Sequence, residues 1–235
     1  QFNQGWPLAN SANSRQGANH EASLRDIQRM AMSWQLDEAA SQRLQARLRE
    51  LVNCELPTQD GHGRIALSSL KAPHAWAEMP FTLGLKQFDA KRLDQLIQAK
   101  IAPGMPRPQL EGHHFKGMLT GVMDLVFSHS ANTQGGDDHD PQVLEHAVLD
   151  YKSNRIQDCQ AQTLMQEVLS HRYDVQAVVY ALALRRLIRH RNPQDPALDR
   201  PTGVLFWFVR GLAAGACWVS VPVDLIDELD REWHP

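Results

Sequence analysis

Residues 146–154 read HAVLDYKSN. The run begins as an apolar strand, then places Asp150 and Lys152 where valine or isoleucine would be expected. Side chains alternate along a strand, so Asp150 and Lys152 fall on one face, about 6–7 Å apart at the backbone. Val148 shares that face, while Leu149 and Tyr151 lie on the other. A strand apolar on both faces is normally internal to a sheet. An ionised carboxylate there is costly unless it is paired or metal-bound.

The preceding apolar run, MLTGVMDLVF (118–127), repeats the anomaly. Asp124 stands between Val122 and Val126 on one face, with Met123 and Leu125 assigned to the other. The polar segment SHSANTQGGDDHDPQ joins the two runs, which predicts an antiparallel hairpin with an overlong loop. Such pairing brings Asp124 towards Asp150. Two carboxylates close together in an apolar sheet either retain a proton or are neutralised by a divalent cation. An internal ion pair between Lys152 and one aspartate is the plainer reading, and it leaves the other aspartate unexplained. A hard-cation site, Mg²⁺ or Mn²⁺ on Asp124 and Asp150 with Lys152 beside it, accounts for all three and suits phosphodiester hydrolysis. The acidic GGDDHD (135–140) lacks a calcium-loop spacing and is read as a solvated hairpin tip.

Around this pair, Leu24, Ile27, Met30 and Trp34 recur at helical spacing, and Asp37 is placed to cap a second helix with the stripe Leu44, Leu48 and Leu51. AWAEMPFTLGL (75–85) alternates, with Ala77, Met79, Phe81 and Leu83 on one face, and Pro80 argues for a sheet edge. A short helix follows at Lys91–Lys100. Helical pattern runs from about Gln160 to Arg191 with a break near His171. GVLFWFVRG (203–211) and ACWVSVPV (216–223) read as a strand pair, and a closing helix takes Asp224 as its N-cap. This order predicts an α/β fold class, a mixed sheet flanked by helices. We divide it into an N-terminal loop and helical segment (1–65) and a core (66–235), a single domain overall.

Apolar residues make up 43% and charged residues 22% of the 235 residues, ordinary for a globular protein. A net charge of −3 gives no global signature of nucleic-acid binding, so a polyanion site must be a local basic patch. The helix bearing Arg172, Arg185, Arg186, Arg189 and Arg191 is one candidate. Its arginines either complement the helix dipole on a solvated surface or form a phosphate-contacting ridge. Arg210 is a further candidate. No run of about 18 apolar residues is present to span a membrane. Cys54, Cys159 and Cys217, odd in number and scattered, argue against a disulfide framework and for a reducing cytoplasm. They cannot supply a four-cysteine cluster. The sequence contains neither a P-loop nor a G-x-S-x-G elbow. It opens on QFNQGWPLAN, without an initiator Met or a signal-peptide pattern, and is expected to be a piece of a longer chain.

GMLTGVMDLVF, LDYKSN, HRYDVQAVVYALALRRLIRHR and GVLFWFVRG, taken in order, resemble the C-terminal nuclease domain of RecB, the beta subunit of exodeoxyribonuclease V in the RecBCD helicase–nuclease family. The resemblance covers roughly residues 70–211. It implies a restriction-endonuclease-like core with a D…D-x-K signature, in which Asp124, Asp150 and Lys152 are catalytic. Asp124, Asp150 and the Tyr151 backbone carbonyl would then hold Mg²⁺, with Mn²⁺ or Ca²⁺ able to substitute in binding. The family's Gln-x₃-Tyr motif falls on Gln176 and Tyr180, and Glu78 falls where the family often has an acidic residue. Glu78 is thus either a site carboxylate or a solvated edge-strand residue. Arg172, Arg185, Arg186 and Arg210 are the candidate DNA contacts. The family's metal-binding histidine, in a G-x-x-x-H-like context, has no match, and His20 lacks that context. The resemblance further implies DNA as substrate, RecC-like and RecD-like subunits and a RecA-like recombinase as partners, and a cytoplasmic location. A non-catalytic DNA-binding or scaffold domain on the same fold is the alternative.

Overall fold

A computed structural model describes Arg29 and residues 32–70, 73–130 and 144–233. Most of the first expected helix and the whole GGDDHD tip fall outside these residues. Helix α1 spans Glu38–Val52, and the Asp37 side chain caps it by accepting from the Ala40 amide at 2.6 Å. A two-stranded ribbon follows, β1 (Leu56–Pro57) with β2 (Arg64–Ile65). Strand β3 (Ala75–Asp89) runs into helix α2 (Ala90–Lys100), whose first amides are capped by Asp89.

Strands β4 (His114–Ser130) and β5 (Leu144–Lys152) pair antiparallel, as the turn-rich connection predicts. Helices α3 (Ala161–Ser170) and α4 (Tyr173–Arg191) then cross over to β6 (Thr202–Phe208), which lies parallel to β5. The break expected near His171 falls there and at Arg172, which adopts a left-handed conformation (φ 56°). Strand β7 (Ala216–Val221) and helix α5 (Val223–Trp233) complete the order. The closing helix begins one residue before Asp224, so Asp224 sits in its first turn rather than at the cap position.

The five long strands form one mixed sheet in the order β3-β4-β5-β6-β7. Pro80 lies on an edge strand, where its missing N–H costs no ladder bond. β5 and β6 are internal, consistent with their continuous apolar runs. One face packs against α2 to α5 through Val148, Val178, Ala181, Phe206 and Leu225. The other face carries a second core of Leu125, Phe127, Leu149, Leu205 and Trp207, covered by Leu51, Leu56 and Ile65.

One departure from strand alternation decides the site. Met123 and Val126, three residues apart, pack in the same core, while Leu125 packs in the other. The pleat therefore changes phase at Asp124, and the assignment of Met123 and Leu125 to a shared face is corrected. Across the hairpin, the pairs Ala77–Leu125 and Met79–Met123 place Glu78 opposite Asp124. Glu78 itself is left-handed, with φ 50°, an uncommon conformation for a residue of that type. The two strands bend together at this pair.

Candidate active site

β4 and β5 pair from Ser130–Leu144 to Leu125–Leu149 and then diverge. Asp124 stands at the fork. Its Oδ2 accepts the Tyr151 amide at 2.9 Å, so a side chain takes the place of a main-chain ladder partner. Asp150 is the next residue along β5 after the last pair and is buried.

On the helix-covered face, Asp150 and Lys152 sit side by side as their spacing requires. Lys152 Nζ lies 2.6 Å from Asp150 Oδ2, so the ion pair of the plainer reading is present. Asp124 takes no part in it. Helix α4 supplies the other partners. Gln176 donates through Nε2 to Asp150 Oδ1 at 2.7 Å and accepts from Lys152 Nζ at 3.0 Å. The Tyr180 hydroxyl lies 3.2 Å from Asp150 Oδ1 and 3.0 Å from the Val122 carbonyl, and it accepts from Gln176 at 2.6 Å. The Val122 carbonyl belongs to the stretch of β4 that lies past the fork. Gln176 and Tyr180 are one helical turn apart, so both reach the same point from one face.

Burial pushes the Asp150 carboxyl above its usual range. Lys152 pulls it back down, and the negative charge of Asp124 adds to the rise. Burial also pushes the Tyr180 phenol up to about 12, so it remains a protonated donor at neutral pH.

Sequence reasoning missed Tyr173, whose ring centroid lies 3.8 Å from Lys152 Nζ. The ring is stacked between Phe206 and His171, and its hydroxyl is bonded to Asn154. The signal was available, since Tyr173, Gln176 and Tyr180 fall at helical steps of three and four on one face. The ring therefore positions the ammonium beside Asp150 by a cation–π contact.

Of the remaining expected residues, Glu78 is exposed on the edge strand opposite Asp124. The Tyr151 side chain points to the other face, 41% exposed beside Trp207. Three candidate DNA contacts, Arg172, Arg185 and Arg186, have guanidinium groups engaged within the chain. Arg185 is buried and donates to the Leu198 and Arg200 carbonyls. Arg186 pairs with Asp230 on α5 at 2.6 Å. Arg172 pairs with Asp94 and Asp174. The acidic face of α5 is the partner that the arginine run lacked when read alone, since Asp227 and Asp230 also hold Arg189. Arg210 is exposed and donates to the Ser153 carbonyl at 2.9 Å, beside the end of β5.

The donor set at the fork fits a hard cation: two carboxylates, Asp124 and Asp150, and the Tyr151 carbonyl, all of them oxygen ligands. Burial raises the Asp150 carboxyl and the charge of Asp124 adds to it; a divalent ion would neutralise both carboxylates. Among the described residues no group of three His, Cys, Asp or Glu side chains gathers to hold a metal. Water would complete the shell, as is usual for Mg²⁺ held by one or two carboxylates.

No family model matches the chain. Its relatives include the RecBCD enzyme subunit RecB of Haemophilus influenzae, 29% identical over 218 residues, 89% of this chain and 16% of that protein. The RecB subunit of Escherichia coli K12 is 34% identical over 153 residues, 63% of this chain and 12% of that protein. That of Mycobacterium tuberculosis H37Rv is 33% identical over 112 residues, 46% of this chain and 9% of that protein. The chain thus spans only a small part of the length of the relatives it matches. It is similar to RecB subunits from several bacteria, in one case over most of its length.

Proposed function

We propose that this chain is a metal-dependent deoxyribonuclease domain, corresponding to the C-terminal nuclease part of RecB and acting preferentially on single-stranded DNA. The observation that carries this reading is the fork itself. There Asp124, Asp150 and Lys152 stand at the open end of a strand pair, with Gln176 bonding Asp150 and Lys152, Tyr180 reaching Asp150, and the Tyr151 amide holding Asp124. The four matching motifs and the RecB relatives support the same assignment.

Asp124, Asp150 and the Tyr151 carbonyl would hold Mg²⁺ or Mn²⁺. When bound, such an ion supplies charge neutralisation at a phosphoryl oxygen and a more acidic attacking water. The chain's own groups do the rest. The Lys152 ammonium orients that water or balances the charge that develops on the phosphate. Gln176 fixes Lys152 and Asp150 in one orientation by bonding both. The Tyr180 hydroxyl, a donor at neutral pH, reaches the inner oxygen of Asp150, and the Tyr151 amide fixes Asp124. In the whole protein this domain would work within a RecBCD-type helicase–nuclease in double-strand-break repair and recombination. RecC-like and RecD-like subunits and a RecA-like recombinase would be its partners.

One observation favours a second reading, a non-catalytic scaffold. Both Asp150 oxygens already have partners within the chain, which a purely structural network would also show. The deciding experiment is cleavage of linear single-stranded DNA with Mg²⁺ and with EDTA, with Lys152→Ala run alongside. Mg²⁺-dependent cleavage lost in the variant supports the nuclease. DNA binding without cleavage at any Mg²⁺ concentration supports the scaffold.

Tyr173 gives a graded check. A cation–π contact is worth ~0.5–2 kcal/mol, so Tyr173→Leu should slow single-turnover cleavage by about tenfold. Tyr173→Phe, which keeps the ring, should stay close to wild type. Equal rates for Leu and wild type would remove the ring from the mechanism.

A further inference from the structure

After Lys152 the chain leaves the sheet and runs without regular structure to Gln160, the residue before α3. Between this segment and α3 lies an open cleft of about 570 Å³, within the range of small-ligand sites. Its lining is dominated by amides, with Gln157, Gln160, Gln162 and Gln166 joined by Thr163 and Arg155. The cleft adjoins the candidate active site through one shared layer of side chains. Glu167, the carboxylate in its wall, accepts from Asn154 at 3.1 Å. Asn154 also bonds the Tyr173 hydroxyl at 3.3 Å, and the Tyr173 ring carries Lys152.

Charge is distributed differently here from α4. Arg155 is exposed and in no ion pair among the described residues, and Arg210 beside it bonds only a carbonyl, that of Ser153. These two cations flank the end of the catalytic strand, whereas Arg172, Arg186 and Arg189 are paired with Asp94, Asp174, Asp227 and Asp230. A glutamine amide offers a donor and an acceptor together, the complement of a nucleobase edge. Only an unpaired base presents its Watson–Crick edge to such groups. Phosphates, which a neutral amide wall would not attract, are matched by the arginines.

We propose that this cleft binds an unpaired nucleotide of the strand being cut, with its phosphate on Arg155 and its base edge on the amides of Gln157 and Gln162. The inference rests on the nuclease reading and adds to it a substrate subsite, one that selects single strands over duplex.

The test is anisotropy titration of the whole chain with a fluorescein-labelled single strand, its duplex, and a single strand with an abasic tract, in Ca²⁺ and in EDTA. Mg²⁺-dependent cleavage is followed in parallel. Gln157 and Gln162 are exposed, so the double variant Gln157→Ala/Gln162→Ala should fold normally, with its thermal transition as the check. Its affinity for the single strand should fall about tenfold, in line with the loss of one base contact. Affinity for the abasic strand should not change. Arg155→Ala should weaken both strands and lower the slope of log K against log salt by about 0.7, one phosphate contact fewer. If wild type binds and cleaves single strands while all three substitutions leave affinity and salt slope unchanged, the subsite is wrong and the nuclease reading stands. If wild type neither binds DNA nor cleaves it with Mg²⁺, both fall together.

Discussion

Lys152→Ala is expected to lower Mg²⁺-dependent cleavage of single-stranded DNA by on the order of 10³-fold, the loss typical of removing one preorganised charge from a reacting centre. The side chain is only 12% exposed and is held on three sides, by Asp150, by Gln176 and by the ring of Tyr173. Among the described residues, Lys152 is the cation paired with Asp150. Binding should change far less than rate, since an interaction realised in the transition state appears in kcat rather than in KM. Lys152→Arg should not rescue. A planar guanidinium cannot occupy the compact position between a carboxylate and an aromatic face that a tetrahedral ammonium fills. Lys152→Met, which keeps the length and drops the charge, separates packing from electrostatics and should be as slow as the alanine variant. Single-turnover rates with excess protein provide the comparison. A methionine variant within a factor of a few of wild type would show that the ammonium does no chemistry here.

How far the sequence alone carries differs by element. The alternation of HAVLDYKSN places Asp150 and Lys152 on one face correctly, because β5 is internal and its pleat is regular from Leu144 to Lys152. The same argument fails on the adjacent strand, at Asp124. Side-chain alternation assumes an unbroken pleat, and the bend at Glu78 and Asp124 breaks it. A left-handed residue within β3 leaves no trace in an alternating pattern of hydrophobicity. The partners of the arginines on α4 are not legible in the sequence for a different reason. Their neutralisation depends on α5, some forty residues later, and on Asp94, about eighty residues earlier than Arg172. A charge run read on one helix cannot show which acidic face will dock against it. Gln176 and Tyr180 are legible through resemblance; Tyr173 shares their helix face, but an isolated tyrosine carries no chemistry of its own to mark it.

The stability of the helical layer is expected to depend on one buried ion cluster, and Asp174→Ala should cost about 3–5 kcal/mol, the range for breaking a buried pair from one side. Asp174 is fully buried and accepts from Arg107 at 2.8 Å and from Arg172 at 3.1 Å. Arg107 also donates to the Ile101 and Ala102 carbonyls at the end of α2, and Arg172 reaches Asp94 and the Pro108 carbonyl. The cluster thus fastens α2, the proline-rich segment after it and the start of α4, three residues before Gln176. Removing the Asp174 carboxylate leaves two largely buried guanidinium groups short of a counter-charge. For a chain of this length the cost corresponds to a fall in Tm of roughly 10 °C. Asp94 gives the cluster a pH dependence of definite sign. Burial raises its carboxyl, but bonds from Gln98, the Leu110 amide and Arg172 outweigh that and hold it below the usual range. Its contribution is therefore present above the unfolded value of about 4 and is lost as pH falls through the lower folded value. Denaturant melts at pH 7 and pH 3 should show the wild type losing more stability on acidification than a variant with Asp94→Asn. Replacing Arg107 and Asp174 together by Met and Leu should cost less than Asp174→Ala alone, because the pair's desolvation disappears with its attraction. Additive costs in that cycle would mean that the two groups are not coupled, and that the carbonyl bonds of Arg107 hold the junction instead.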